Sequence, residues 1–223
     1  LGDMIGNIVH QWRQPLSSIS TLVSAVLYKK QLKILDDNML HDDLEKVLLK
    51  INYLSETIET FRNYLKEEKV TQRVLLQERV ELSLTITDVS LSDNHIKLIK
   101  NIDMTPIYVD IVLGELTQVL INIINNAKDI LLEKSIENPW VELSVYTQKN
   151  IVIISIEDNG GGIPQNVLPK IFDQYFTTKD SSIGTGLGLH MSYQIITESL
   201  NGKLYVKNTK NGAKFFIELP IAS

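Results

Sequence analysis

The 223-residue chain has no cysteine, which excludes disulfide scaffolds, thiolate metal sites and thiol nucleophiles. It has no basic excess either. Lys and Arg number 22 against 27 Asp and Glu, a net charge of −5, which argues against a general nucleic-acid coat or polyanion wrapper. No stretch approaches the roughly 18–20 consecutive apolar residues of a membrane span. The first residues, Leu1-Gly2-Asp3-Met4-Ile5, lack the basic start and apolar stretch of a signal peptide. They read as the middle of a helix, so the expectation is a segment cut from a longer protein. Internal repeats and low-complexity tracts are missing too. What is there is 43% apolar, ample for a packed core in one or two domains, and a cytoplasmic, reducing setting is expected.

The first 70 residues carry a pattern of their own. Ile5, Val9, Trp12, Leu16, Ile19, Val23 and Val26 are spaced alternately four and three apart, a heptad seam. It stops at Lys29-Lys30, and Asp36-Asp37-Asn38 supply turn and N-cap chemistry. A second seam follows at Leu44, Val47, Ile51, Leu54, Ile58, Phe61 and Leu65. Two such helices on a short loop form an antiparallel hairpin. A lone hairpin leaves each stripe half uncovered, so a homodimeric four-helix bundle is expected.

Lys66-Glu67-Glu68-Lys69 is a charged joint, which puts the domains at 1–69 and 70–223. Beyond it, Ile96, Leu98 and Ile102, then Val141, Leu143 and Val145, then Val152, Ile154 and Ile156 alternate as strands. Residues 203–208 and 213–220 suggest a hairpin closing across Asn211-Gly212. Helical patterns lie at about 78–91, 112–135 and 187–200. The expected second domain is an α/β sandwich of one mixed sheet and about three helices.

Three glycine clusters stand out there. Asp158-Asn159-Gly160-Gly161-Gly162 follows the strand that ends at Ile156; a carboxylate there can accept from an exocyclic amine while bare glycines let a flat ring approach. Gly184-Thr185-Gly186-Leu187-Gly188 opens a helix, where successive backbone N–H groups can point at phosphate. No Gly-Lys-Ser/Thr follows it, so it is not a P-loop. Asn211-Gly212-Ala213 reads as a plain hairpin turn. On the 112–135 helix, Asn122 and Asn126 share a face one turn apart with Asn125 beside them. Helix interiors disfavour Asn, and an amide oxygen is a good neutral ligand for a Mg²⁺ that also leans on nucleotide phosphates.

Taken together and in order, Asn122-Ile-Ile-Asn-Asn126-Ala127, Asp158-x-Gly160-x-Gly162, Phe172-Asp-Gln-Tyr-Phe176-Thr-Thr-Lys179 and Gly184-Thr-Gly-Leu-Gly-Leu189 resemble the N, G1, F and G2 boxes of sensor histidine kinases. Val9-His10-Gln11-Trp12-Arg13-Gln14-Pro15-Leu16 is similar to their H box. The resemblance covers essentially the whole chain. It implies a phosphotransfer bundle followed by a Bergerat (GHKL) ATP-binding domain. It further implies that Asn126 holds Mg²⁺, Asp158 receives the adenine amino group, and the glycines of 184–188 border the triphosphate.

With Val9 and Trp12 on the seam, His10 is read independently as facing outward, with Pro15 one turn on, where a helix-interior proline usually bends the helix. Neutral imidazole is nucleophilic near neutrality. The family commonly has an acid directly after the histidine; here stands Gln11, which can orient the ring but is no general base. Gln14 occupies the place where the family often positions water for dephosphorylating a partner; a solvated surface amide is the other reading. Lys179 is the preferred cation for the phosphates in a short lid over 177–183, with Lys128 its rival. His41, His95 and His190 are read as structural.

The expected function is an ATP-dependent protein-histidine kinase that phosphorylates His10 and passes the phosphoryl group to an aspartate of a response-regulator receiver domain. The missing upstream part would hold the sensor, together with any membrane anchor. Two alternatives stay open: a GHKL ATPase, disfavoured because Asn122 stands where such enzymes place a water-activating Glu, and a nucleotide-binding dimeric scaffold without kinase activity.

Overall fold

The computed structural model describes residues 2–48, 51, 71–112, 114–179 and 186–222, the side chains of 2–15, 18 and 89 aside. The chain divides into two compact units, residues 1–67 with 175–186 and residues 68–174 with 187–223.

In the first unit a single long helix, α1 (Gly2–Gln31), runs unbroken through Pro15. It ends on Lys29 and Lys30, cations placed where the helix dipole favours them. The stop is a Schellman turn: Lys33 takes φ +56, its N–H bonds to the Lys30 carbonyl, and the Ile34 N–H reaches back to Lys29. A second helix, α2 (residues 37–48), starts where the expected cap residue Asp36 accepts the Met39 N–H at 2.7 Å. Lys29 and Asp43 join the two helices through an ion pair at 2.7 Å. Of the seam residues, Leu16, Val23, Leu44 and Ile51 are exposed and Ile19, Val26 and Val47 half-buried. Leu54, Ile58, Phe61, Leu65 and the charged joint lie outside the described residues. Within the segment 175–186 of this unit, the Gly186 carbonyl accepts the Tyr175 N–H at 3.0 Å.

The second unit is an α/β sandwich. Its main sheet has the order β2-β4-β5-β7-β6, with β2 (Lys97–Ile102), β4 (Trp140–Gln148), β5 (Ile151–Asp158), β6 (Lys203–Asn208) and β7 (Ala213–Pro220). β2 and β4 are parallel and the other pairs antiparallel. Alternation buries one face: Val141, Leu143 and Val145 on β4, Val152, Ile154 and Ile156 on β5, and Phe215, Ile217 and Leu219 on β7. β5, the middle strand of the sheet, is buried on both faces, Ile153, Ser155 and Glu157 included.

The helical layer is α3 (Leu76–Asp93), α4 (Glu115–Glu133) and α5 (Gly188–Gln194). On α4, Leu116, Val119, Leu120, Ile123, Ile124, Ala127 and Leu131 are buried, the stripe of a helix packed along one side. Three features depart from expectation. β1 (Thr71–Leu75) and β3 (Tyr108–Val112) pair antiparallel as a separate two-stranded sheet. The helix expected from 112 begins at Glu115, because Ile111 and Val112 belong to β3 and Gly114 turns the chain at φ +89. The third expected helix is α5 continued by a π-helical turn over Ile195–Ser199. Among the described residues no helix is long and apolar enough to cross a membrane.

Candidate functional site

Asp158 is the last residue of β5, and it is buried at 4% exposure. Its Oδ1 accepts the Gly160 N–H at 2.8 Å and, more weakly, the Ala213 N–H at 3.4 Å. Burial pushes its carboxyl above the ordinary range, opposed by those two amides and by the charge of Lys134. A buried carboxylate with spare acceptor capacity is a strong partner for an amine donor. Its neighbour Glu157 is spent on structure: it accepts from the Thr209 hydroxyl at 2.8 Å and from Lys214 at 3.0 Å. Burial raises that carboxyl, but the Thr209 and Lys214 hydrogen bonds outweigh it and hold Glu157 low.

The loop after Asp158 is pinned from three directions. Lys134, capping the C-terminus of α4, donates to the Gly160 carbonyl at 2.6 Å. Asn208, at the end of β6, accepts the Ile163 N–H at 2.8 Å and donates to the Ile163 carbonyl at 2.7 Å, one side chain imitating a strand. The Gly161 N–H reaches Asn211 in the β6–β7 turn at 3.1 Å. That turn has to come close. A Cβ on Gly212 would collide with the Asp158 backbone carbonyl and stand 2.6 Å from its Oδ1, so the glycine serves proximity to Asp158 as well as the hairpin.

The second glycine cluster meets α4. A Cβ on Gly188 would sit 2.5 Å from Asn122 Oδ1, while Asn122 Nδ2 donates to Ser192 Oγ of α5 at 2.9 Å. Asn122 therefore ties α4 to α5 under the start of that helix. Asn125 and Asn126 are half-buried on the same helix. Lys128 donates to Ser90 of α3 at 2.9 Å, so the rival phosphate cation is engaged in helix packing. Thr177 Oγ1 accepts the Lys179 N–H at 3.1 Å. Gly184 and Thr185 lie outside the described residues, as does most of the expected lid. His10, Gln11 and Gln14 are all on α1, their side chains outside the described set. His190 bonds the Phe172 carbonyl through Nδ1 at 2.9 Å, His41 faces Glu45 at 3.3 Å at the surface, and His95 forms the turn before β2 at φ +56.

A mixed five-stranded sheet under a helical layer, with a buried aspartate at a strand end and asparagines on the facing helix, is a known pattern. Residues 112–223 match the family described as histidine kinase-, DNA gyrase B-, and HSP90-like ATPase, just over half of the chain. The chain belongs to this family. Its curated relatives are sensor histidine kinases. The signal transduction histidine-protein kinase AtoS of Escherichia coli K12 is 31% identical over 225 residues, covering 99% of this chain and 35% of AtoS. The two-component sensor PprA of Pseudomonas aeruginosa is 27% identical over 229 residues, covering all of this chain and 24% of PprA. The chain thus spans about a quarter to a third of the length of these relatives. The catalytic domain of histidine kinase ThkA superposes with a TM-score of 0.60 at 29% identity, over 67% of this chain and 95% of that one. ThkA in complex with the response regulator protein TrrA gives a TM-score of 0.75 at 24% identity, over all of this chain and 62% of that one, which speaks for the fold.

Family membership makes the second unit an ATP-binding domain. Its residues also suit a nucleotide-borne cation: the candidate donor on α4 is the neutral amide of Asn126, a hard oxygen ligand, and Mg²⁺ characteristically takes few protein ligands and leans on phosphates. No cluster of three or more His, Asp or Glu that could hold a metal occurs among the described residues, so no rival all-protein cage is present there. Lys134, Asn208, Gly212 and Ser192 were not among the residues the sequence singled out for the site. Only Gly212 carried a signal, in Asn211-Gly212, and it pointed to a turn.

Proposed function

We propose that this kinase-family chain is the catalytic core of an ATP-dependent protein-histidine kinase that phosphorylates its own His10 and passes the phosphoryl group to an aspartate of a response-regulator receiver domain. The observation that carries the reading is the buried Asp158 carboxylate at the head of a pinned glycine loop, in a chain whose separate helical unit bears His10. Asp158 accepts the exocyclic amine of adenine, and Gly160 and Gly162 leave room for the ring. Asn126 holds Mg²⁺, with Asn122 setting the helix that carries it. When bound, the cation offsets charge on the phosphate oxygens. Backbone amides of Gly184, Thr185, Gly186, Leu187 and Gly188 border the triphosphate, and Lys179 adds a cation. His10 attacks the γ-phosphorus in line, so an N–P bond forms as the bond to the β-phosphate oxygen breaks and ADP leaves. Gln11 orients the imidazole ring, and Gln14 positions water for dephosphorylating the response-regulator partner. Catalysis of this kind is positioning plus charge stabilisation.

Residues 1–69 form the dimerisation and phosphotransfer domain and 70–223 the ATP-binding domain. The exposed seam of α1 and α2 supports a homodimer in which two hairpins pair into a four-helix bundle, since an apolar stripe of that length needs a partner. We place this segment in the cytoplasm.

Incubation with γ-labelled ATP and Mg²⁺ tests the reading. Acid-labile, alkali-stable label on the protein that disappears in His10→Ala, and that moves to a receiver domain on addition, is expected. Free phosphate without protein label would make the chain an ATPase. Neither product would make it a nucleotide-binding scaffold.

A further inference from the structure

We propose that Lys134 is a positioning residue of the adenine site, holding the Gly160–Gly161 loop so that Asp158 presents its carboxylate to the base. This rests on the reading of Asp158 as the adenine acceptor. Lys134 follows the last residue of α4 as its cap, with φ −87 and ψ 0. Its ammonium donates to the Gly160 carbonyl at 2.6 Å, and it lies 3.8 Å from where a Cβ on Gly161 would stand. The other end of the same residue, the Gly160 N–H, binds Asp158 Oδ1 at 2.8 Å. Lys134 therefore acts on Asp158 through one glycine, fixed at its carbonyl by the lysine and at its amide by the aspartate.

A run of three glycines has no side chains with which to fix itself, and ordering it costs more backbone entropy than ordering any other sequence. The anchors must come from outside. Asn208 and Asn211 hold the far side of the loop, at Ile163 and Gly161. Among the described residues, Lys134 is the one that grips Gly160, the residue bonded to the Asp158 carboxylate, from its carbonyl side. It also brings charge. The ionisable groups acting on Asp158 are Lys134 and Glu157, and Glu157 is already answered by Lys214 and Thr209. Lys134 is thus the cation that helps keep a buried carboxylate ionised for its amine partner, with a strength screened by salt because the lysine is exposed.

The test is Mg²⁺-ADP binding to the full chain by titration calorimetry, across pH and in parallel with inosine diphosphate, which lacks the 6-amino group. Lys134→Met, Lys134→Arg and Asp158→Asn are compared with the native chain. Lys134→Met is expected to weaken ADP binding about 3- to 10-fold, the worth of one ordinary hydrogen bond, since the lysine is exposed and acts on the base only through the loop. It should also narrow the preference for ADP over inosine diphosphate and move the acid limb of binding to higher pH. Lys134→Arg should restore all three. If Asp158→Asn abolishes the ADP preference while Lys134→Met binds as the native chain does, the role of Lys134 is overturned and the adenine reading stands. If Lys134→Met weakens both nucleotides equally, leaves the acid limb in place and is not rescued by arginine, the lysine is merely structural and the proposal fails. If Asp158→Asn keeps the ADP preference, the adenine reading falls and takes the proposal with it.

Discussion

Replacing Gly188 with alanine asks what this glycine is for. A methyl group at that position would lie 2.5 Å from Asn122 Oδ1, 3.2 Å from its Cγ and 3.3 Å from its Nδ2. Unstrained contacts begin at roughly 3.5 Å, so the overlap with the oxygen is about 1 Å. Gly188 is not in the left-handed region, and the backbone itself would accept alanine; the whole penalty is the collision. Asn122 has to withdraw, and its bond to Ser192 at 2.9 Å goes with it. Overpacking of this kind costs about 1–3 kcal/mol and the lost hydrogen bond about 1 kcal/mol. Against that, the helix propensity of alanine returns at most about 1 kcal/mol, and less at a first helical position. The net expectation is a loss of about 2 kcal/mol, or roughly 5–8 °C in a unit of this size. Asn122→Ala removes the obstacle, so the two substitutions should be non-additive, with a coupling of at least about 1 kcal/mol in the favourable direction. Urea unfolding followed by the fluorescence of Trp140 measures this, in a Trp12→Phe background so that the signal comes from the unit holding the site. Should Gly188→Ala cost the same with and without the Asn122 amide, the steric account is wrong and the glycine is kept for its ligand alone.

Lys214→Met removes the ion pair at 3.0 Å that helps hold the Glu157 carboxyl below its ordinary value of 4.5. A lowered folded-state value contributes stability above the ordinary value and loses it as pH falls through the folded one. The native chain should therefore melt above the variant at neutral pH, with the gap closing as pH drops below 4.5; a gap that stays constant over that range would show that the pair does not stabilise. Gln11→Glu supplies the base that this chain lacks beside His10, so autophosphorylation should speed up and gain a pH-dependent limb between about pH 6 and 9. An unchanged rate across that range removes Gln11 as the limiting feature.

Elements with a strong local period were legible in the sequence. The stripe on α4, the alternation along β4, β5 and β7, and the hairpin across Asn211-Gly212 all stand where periodicity put them. The small sheet did not announce itself. Thr71-Gln72-Arg73-Val74-Leu75 is mostly polar, and its partner strand begins more than thirty residues later at Tyr108. Nothing local in either segment marks the pairing. Residues 107–112 buried at Ile107, Val109 and Ile111 have period two, yet the apolar run carries straight on into Leu116 and Val119, and only the left-handed turn at Gly114 separates strand from helix. A single glycine decides that boundary.

The site divides in the same way. Its motifs are contiguous and readable one by one, but what fixes them is not. Asp158 depends on Ala213 and Gly212, Gly160 on Lys134, Ile163 on Asn208, and Asn122 on Ser192; each pair is brought together by the fold rather than by spacing. A glycine in a nucleotide motif leaves room either for the ligand or for a neighbouring part of the protein, and sequence cannot tell these apart. Gly188 and Gly212 make room for Asn122 and Asp158. Two of the site's three glycine clusters are thus wedged against the residues of the other motifs, and a substitution in one box disturbs the next through packing alone. Loss of kinase activity on mutating such a glycine would therefore not establish phosphate or adenine contact; only a loss of nucleotide affinity at unchanged stability of the nucleotide-free protein would.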